Sequence, residues 1–257
     1  MEVHKEIERH RYDAAARPHL QAGTSHGPVG SSGIAVELRS PYIEFEQHIR
    51  DLARAGGVVL DIGAGTGAFS FSAVGSDRTL VATDISLTAL QVARKRSEVL
   101  NIPLNLVCAD SEALPFRSTS IDLAGSAGVL YCFDAGTLAR EIQRVLKSHG
   151  SWVIVDSLNE NPIYKLNRWF GFLRRRRTAL AAQNLPTVST IERLGAGFQK
   201  SSLSFHGILT FLVPVLRPLF GSERTAAILG FGDQRLKRWK RLAFKVVAVL
   251  ERPMPGR

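Results

Sequence analysis

The sequence predicts an α/β fold built on an open, largely parallel sheet, and two observations carry that prediction. Residues Val58 to Ser70 read VVLDIGAGTGAFS, an apolar run that ends at Asp61 and Ile62 and passes into glycines at alternate positions. A short apolar run bounded by glycines reads as a buried strand, and the glycine loop after it lets the backbone approach a ligand closely. Two further apolar runs, Thr79 to Thr83 and Leu104 to Cys108, also stop beside an acid, Asp84 and Asp110 respectively. Strands that deliver acids to one edge of a doubly wound sheet place a ligand at that edge.

Residues 1–57 form an N-terminal cap with one helix within Glu2 to Ala16 and another from Pro41 to Arg54. The loop between them is rich in Gly23, Ser25, Gly27, Gly30, Ser31, Ser32 and Gly33. After the first strand, Gly63, Gly65 and Gly67 leave no Cβ between loop and ligand, and a following helix points free N–H groups at it. The second strand carries Asp84, Ile85 and Ser86 to the distance expected of a ribose acid. The third ends in Ala109, Asp110 and Ser111, followed by ALPF, Ala113 to Phe116. Ile121 to Gly125 is a fourth strand. Asp134 then caps a helix whose Leu138, Ile142, Val145 and Leu146 share a face, with Gly150 past its end. A fifth strand ends at Asp156 and Ser157. Thr187 to Leu194 reads as a helix, Phe198 to Phe205 as a sixth strand and Leu242 to Glu251 as the last.

The glycine loop alone is ambiguous, because Gly63, Gly65 and Ala68 also satisfy the G-x-G-x-x-G/A fingerprint of dinucleotide enzymes. Asp61 completes the pattern D-x-G-x-G-x-G, which resembles the first motif of the class I S-adenosylmethionine-dependent methyltransferases, in particular the group related to quinone-biosynthesis methyltransferases. ALPF is similar to that family's stretch beside the adenine ring. RVLKSHGSWVIVDS resembles its R-V-L-K-P-G-G turn into the fifth strand, with Ser148 and His149 in place of Pro and Gly.

Over residues 58–157 the resemblance implies a Rossmann-like, seven-stranded doubly wound sheet with an antiparallel last strand between the fifth and sixth. It implies S-adenosylmethionine as cofactor and S-adenosylhomocysteine as product. The implied cofactor residues are Asp61, Gly63, Ala64, Gly65, Gly67, Asp84, Ile85, Asp110, Ser111, Ser126 and Ala127, with Tyr12 from the cap. The chain then divides into the cap at 1–57, the cofactor half at 58–157 and a substrate half at 158–257, the last holding an insertion at about 207–241.

A methyl sulfonium is already electrophilic, so the protein's task is to align an acceptor and exclude water. Tyr131, Asn159 and Tyr164 are the acceptor-binding candidates, with Asn161 and Arg39 near the same cleft. Asp156, His206 and His19 are the candidate bases for an alcohol acceptor. Asn161 to Tyr164 reads NPIY, which is similar to a signature of amino-methyltransferases but follows the fifth strand instead of the fourth, and is read as coincidence. No acidic cluster suggests a metal.

Composition narrows the class. Two cysteines among 257 residues cannot form a disulfide framework, and Cys108 and Cys132 read as small buried hydrophobes in a reducing, cytoplasmic setting. Residues 161–257 hold 18 Lys and Arg against 4 Asp and Glu, whereas residues 1–160 hold 15 against 19. This basic excess includes Arg174 to Arg177 and implies either a solvated face or an anionic partner: a phospholipid surface, a phosphate-bearing acceptor or nucleic acid. Within the insertion, GILTFLVPVLRPLF is too short to span a bilayer and reads as a lid over the substrate cleft, as an interfacial element, or as plain core packing or a dimer surface. The expected function is O-methylation of a small molecule such as a sugar, a lipid-linked glycan or a secondary metabolite. An RNA methyltransferase or basic nucleic-acid-binding protein is the alternative, and an NAD(P)-dependent oxidoreductase the third.

Overall fold

The computed structural model describes residues 2–21, 29–54, 56–72, 77–165 and 185–254. Seven strands form one sheet: β1 (Val58–Ile62), β2 (Thr79–Asp84), β3 (Asn105–Cys108), β4 (Ile121–Ala127), β5 (Leu146–Ser157), β6 (Phe198–His206) and β7 (Lys245–Pro253). Their order is β3-β2-β1-β4-β5-β7-β6, and β7 runs antiparallel to both β5 and β6. Asp61 pairs in register with Ala82 of β2 and Gly125 of β4. The strand order therefore reverses at β1, and a crevice opens beyond the carboxyl ends of β1 and β4.

The helices are α1 (Glu2–Gln21), α2 (Ser40–Leu52), α3 (Leu87–Leu100), α4 (Ala135–Val145), α5 (Val188–Gly195) and α6 (Val213–Arg235). Ser86 caps α3 by accepting from the Ala89 amide, and Asp134 caps α4 by accepting from that of Thr137. Because side chains alternate across a strand, Leu60, Ile62, Trp152 and Ile154 pack on Leu138 and Ile142 of α4 and Ile191 of α5. Val59, Leu123, Val153 and Val155 face the other way, onto Phe45 and Ile49 of α2.

Three local expectations are corrected. No helix follows β1 among the described residues: Gly63 to Ser72 run as turns, with the Gly67 amide donating to Ala64 and that of Ser72 to Phe69. Gly63, Gly65 and Gly67 all have positive φ, and Phe69 is stacked 5.3 Å from Tyr42, so loop geometry and packing override the helix. Leu146, expected on the helix face, instead opens β5, which begins directly after α4, contains Gly150 and shifts register against β4 between Ile121 and Leu123. Cys108 is exposed, because β3 is the edge strand. Arg174 to Arg177 lie outside the described residues.

Candidate active site

The glycine loop and two acids build the floor of the site. One Asp84 carboxylate oxygen accepts from the Gly65 amide at 2.8 Å and the other from the Ser86 amide at 2.8 Å, so β2 fixes the loop that follows β1. Burial raises the Asp84 pKa, against the pull of those amides. Asp61, near the end of β1, accepts from Ser70 Oγ at 2.5 Å. Burial pushes its carboxyl up to about 7, the neighbouring Asp84 charge adds to this, and the Ser70 hydroxyl opposes it. A side chain at Gly63 would bring its Cβ within 2.8 Å of Val129, whereas Gly65 and Gly128 have open space where a Cβ would be.

Above this floor is a cavity of about 160 Å³. Of the sequence-predicted cofactor residues, Gly63, Asp84, Ile85, Asp110, Ser111, Ala127 and Tyr12 line it together. Ala64, Gly65 and Gly67 shape the loop beneath. Ser126 points away, its hydroxyl accepting from the Trp152 indole at 3.1 Å in the core.

The roof is α1. Lys5, Glu8 and Tyr12 line the cavity at helical spacing, one above another on the same face. Lys5 donates to Asp110 at 2.5 Å and also bonds Glu112. Burial works against the ammonium, but these two carboxylates hold its pKa above the ordinary value. Tyr12 and Tyr131 share a hydroxyl hydrogen bond of 2.5 Å at the rim. Burial raises both phenols, Tyr12 to about 12, and raises the lining thiol of Cys132 to about 12. Lys5, Glu8 and Cys132 were not recognised in the sequence. The available signal was the i, i+3, i+7 spacing of Lys5, Glu8 and Tyr12.

The candidate bases stand elsewhere. Asp156 is fully buried, and its carboxylate accepts from the amides of Leu130 at 2.9 Å and Ser157 at 2.6 Å. It anchors the turn after β4 and does not line the cavity. His19 is exposed on α1. His206 ends β6, with Nε2 2.8 Å from Glu44, beside a separate cleft of about 530 Å³. Three strand spacings, about 14 Å, separate β6 from β4. Tyr164 is buried against Phe244, its hydroxyl donating to the Gly207 carbonyl at 3.1 Å. The Asn159 amide donates to Pro186, Asn161 bonds the Leu242 carbonyl and the Ile163 amide, and Arg39 donates to the Ile34 carbonyl.

Comparison with known proteins accords with this arrangement. A family model described as a methyltransferase domain matches residues 60–154. A malonyl-[acyl-carrier protein] O-methyltransferase of Herminiimonas arsenicoxydans is 34% identical over 191 residues, covering 71% of this chain and 70% of the relative. This chain belongs to the class I S-adenosylmethionine-dependent methyltransferases. A second methyltransferase of the same description, from Marinomonas sp. (strain MWYL1), is 34% identical over 122 residues, 44% of this chain; the chain spans only 43% of its length. The phosphoethanolamine N-methyltransferase 2 of Haemonchus contortus, solved with S-adenosyl-L-methionine, superposes with a TM-score of 0.58 at 16% identity, over 83% of this chain and 53% of that one, which shows a shared fold. The methyltransferase takes S-adenosylmethionine as donor, and the dinucleotide oxidoreductase reading is set aside. The acids at successive strand ends and the open space beside Gly65 and Gly128 suit that cofactor.

Proposed function

We propose that this methyltransferase acts on an oxygen of a small-molecule acceptor that is already acidic, a carboxylate above all. Supporting this, Asp156, His206 and His19 do not line the cavity, the raised pKa values of Tyr12 and Cys132 keep those two groups protonated near neutral pH, and the carboxylates that do line it are engaged, Glu8 by Arg11, Asp84 by the amides of Gly65 and Ser86, and Asp110 by Lys5. An alcohol needs a base within hydrogen-bond reach of its proton; a carboxylate needs only alignment. The relatives named as O-methyltransferases favour oxygen as the nucleophile.

When bound, the cofactor supplies an electrophilic methyl group. Asp84 holds the ribose hydroxyls, Ile85, Asp110 and Ser111 border the adenine, and the amides of Gly63 to Gly67 face the amino-acid end. Lys5, Glu8 and Tyr12 close over these groups and exclude water, while Tyr131 walls the acceptor side. Asn159 and Tyr164 support the acceptor side from behind by fixing the segment after β5. A sugar, lipid-linked glycan or secondary metabolite that carries an acidic oxygen meets this description, and an anionic acceptor complements the basic C-terminal half. The setting is the cytoplasm.

The test is methyl transfer from labelled cofactor to matched pairs of carboxylic acids and their neutral alcohols. Transfer to the acids, with kcat independent of pH above the acceptor's own pKa, is expected. Faster transfer to the alcohols, lost in Glu8→Gln, would overturn the reading and make Glu8 the base.

A further inference from the structure

The outer face of α6 is apolar and basic at once. In its second half, Thr225 and Leu229 are buried against the body of the protein. Arg224, Ile228, Phe231 and Arg235 follow one another at steps of four, three and four residues, a stripe about a third of a turn round the helix from the buried pair. Phe231 is 59% exposed, and the Arg235 guanidinium lies 4.5 Å from its ring centre. Gly221, with φ 74°, kinks the helix. Before the kink, Val215 and Leu219, four residues apart, are 60% and 69% exposed. In the turn after α6, Trp239 is 59% exposed and stands between Arg238, Lys240 and Arg241.

We propose that this face docks the protein on an anionic lipid bilayer. Residues 207–241 carry seven Lys and Arg against two acids. One of those acids, Asp233, is turned inward onto the amides of Gly207 and Ile208. Scattered exposed apolar residues are ordinary; six large ones, Phe220 among them, interleaved with arginines along one short segment mark an interaction surface. Aliphatic and aromatic groups enter the boundary of the acyl chains, Trp239 sits at headgroup level, and the arginines meet phosphate. A second copy of the chain is a poorer occupant, because a two-fold contact would set this basic face against itself. Single-stranded nucleic acid would use Phe231 and Trp239 for stacking but leaves Val215, Leu219 and Ile228 without a role. Insertion across the membrane is not implied: no helix among the described residues is long and apolar enough to cross one. The proposal does not depend on which acceptor is methylated.

The test is cosedimentation of the whole chain with vesicles of phosphatidylserine mixed with phosphatidylcholine, against phosphatidylcholine alone. Binding to the mixed vesicles is expected, falling at least about tenfold on raising salt to about 0.5 M. Leu219→Ser with Phe231→Ser, and separately Arg238→Gln with Arg241→Gln, should each weaken it about tenfold or more while S-adenosylhomocysteine affinity stays unchanged. The proposal is overturned if neither vesicle is bound, if both variants bind like the parent, or if the same substitutions abolish a dimer or RNA binding and leave vesicles untouched.

Discussion

The hydroxyl of Tyr12 on α1 lies 2.5 Å from that of Tyr131, 119 residues later and just beyond β4. This contact, Lys5 on Asp110 and the 2.6 Å bond from Ser86 Oγ to Asp13 pin α1 over the cavity proposed for the cofactor. The cavity beneath, about 160 Å³, is smaller than the roughly 300 Å³ at which ligand pockets begin, so the expected route of cofactor entry and exit is movement of α1. Tyr12→Phe removes a bond worth about 1 kcal/mol, and S-adenosylhomocysteine should then dissociate about fivefold faster. Stopped-flow displacement measures this; an unchanged rate would show that α1 is not the gate.

Asp84 does two things at once, and its replacement should show both. Asp84→Ala removes the proposed ribose acceptor and also frees the amides of Gly65 and Ser86. Calorimetry should show cofactor binding weakened by about 1–3 kcal/mol. Asp84→Asn, which keeps one acceptor oxygen, should recover part of the loss. Equal affinity in parent and alanine variant would remove Asp84 from the site.

The floor of this site was legible because parallel strands buried on both faces read as apolar runs, and their ends are marked by the acids at 61, 84 and 110 and by glycine. The roof was not. Lys5 meets Asp110 across 105 residues, and nothing in a charged helix announces which of its faces turns inward. Ser126 and Asp156 were read as site residues because they stand at strand ends, but alternation along the strand turned Ser126 to the Trp152 indole, and the amides of Leu130 and Ser157 claimed Asp156. Leu146 was counted on the helix face because its spacing continues the apolar stripe, but its backbone is extended and it opens β5 directly after α4. His206 ends a strand on the correct edge of the sheet, and only the strand order reveals that β5 and β7 intervene.

Asp156 and His206 should accordingly separate. Asp156→Ala strands the buried amides of Leu130 and Ser157, which costs about 1–3 kcal/mol of stability and loosens the turn that carries Val129 and Leu130. The expected result is a lower unfolding midpoint and lower kcat, with the shape of the kcat–pH profile unchanged. His206→Ala should leave kcat within about threefold, since His206 does not line the cavity and stands three strand spacings from β4. A loss of about 100-fold in His206→Ala with cofactor affinity intact would restore it as the base.

Asp61 gives the sharpest pH signature. Its carboxyl has an ordinary pKa of 3.8 and is raised in the fold to about 7, first by burial and then by the Asp84 charge. Between these values the folded chain keeps a proton that the unfolded chain has released. The native state therefore binds more protons, and stability contributed here falls as pH rises from about 4 to about 7, then levels. At about 1.4 kcal/mol per pH unit the full fall is on the order of 4 kcal/mol. Asp61→Asn has nothing to titrate, so the stability of the variant minus that of the parent should increase across this window and stay constant above it. Urea unfolding of the cofactor-free protein at stepped pH measures the difference, in which contributions from titrating groups not coupled to Asp61 cancel. Ser70→Ala offers the internal control: its hydroxyl donates to Asp61 and holds the pKa down, so its loss should carry the levelling point above pH 7. A difference that stays flat from pH 4 to 7 would mean that Asp61 is ionised in the fold at its ordinary pKa.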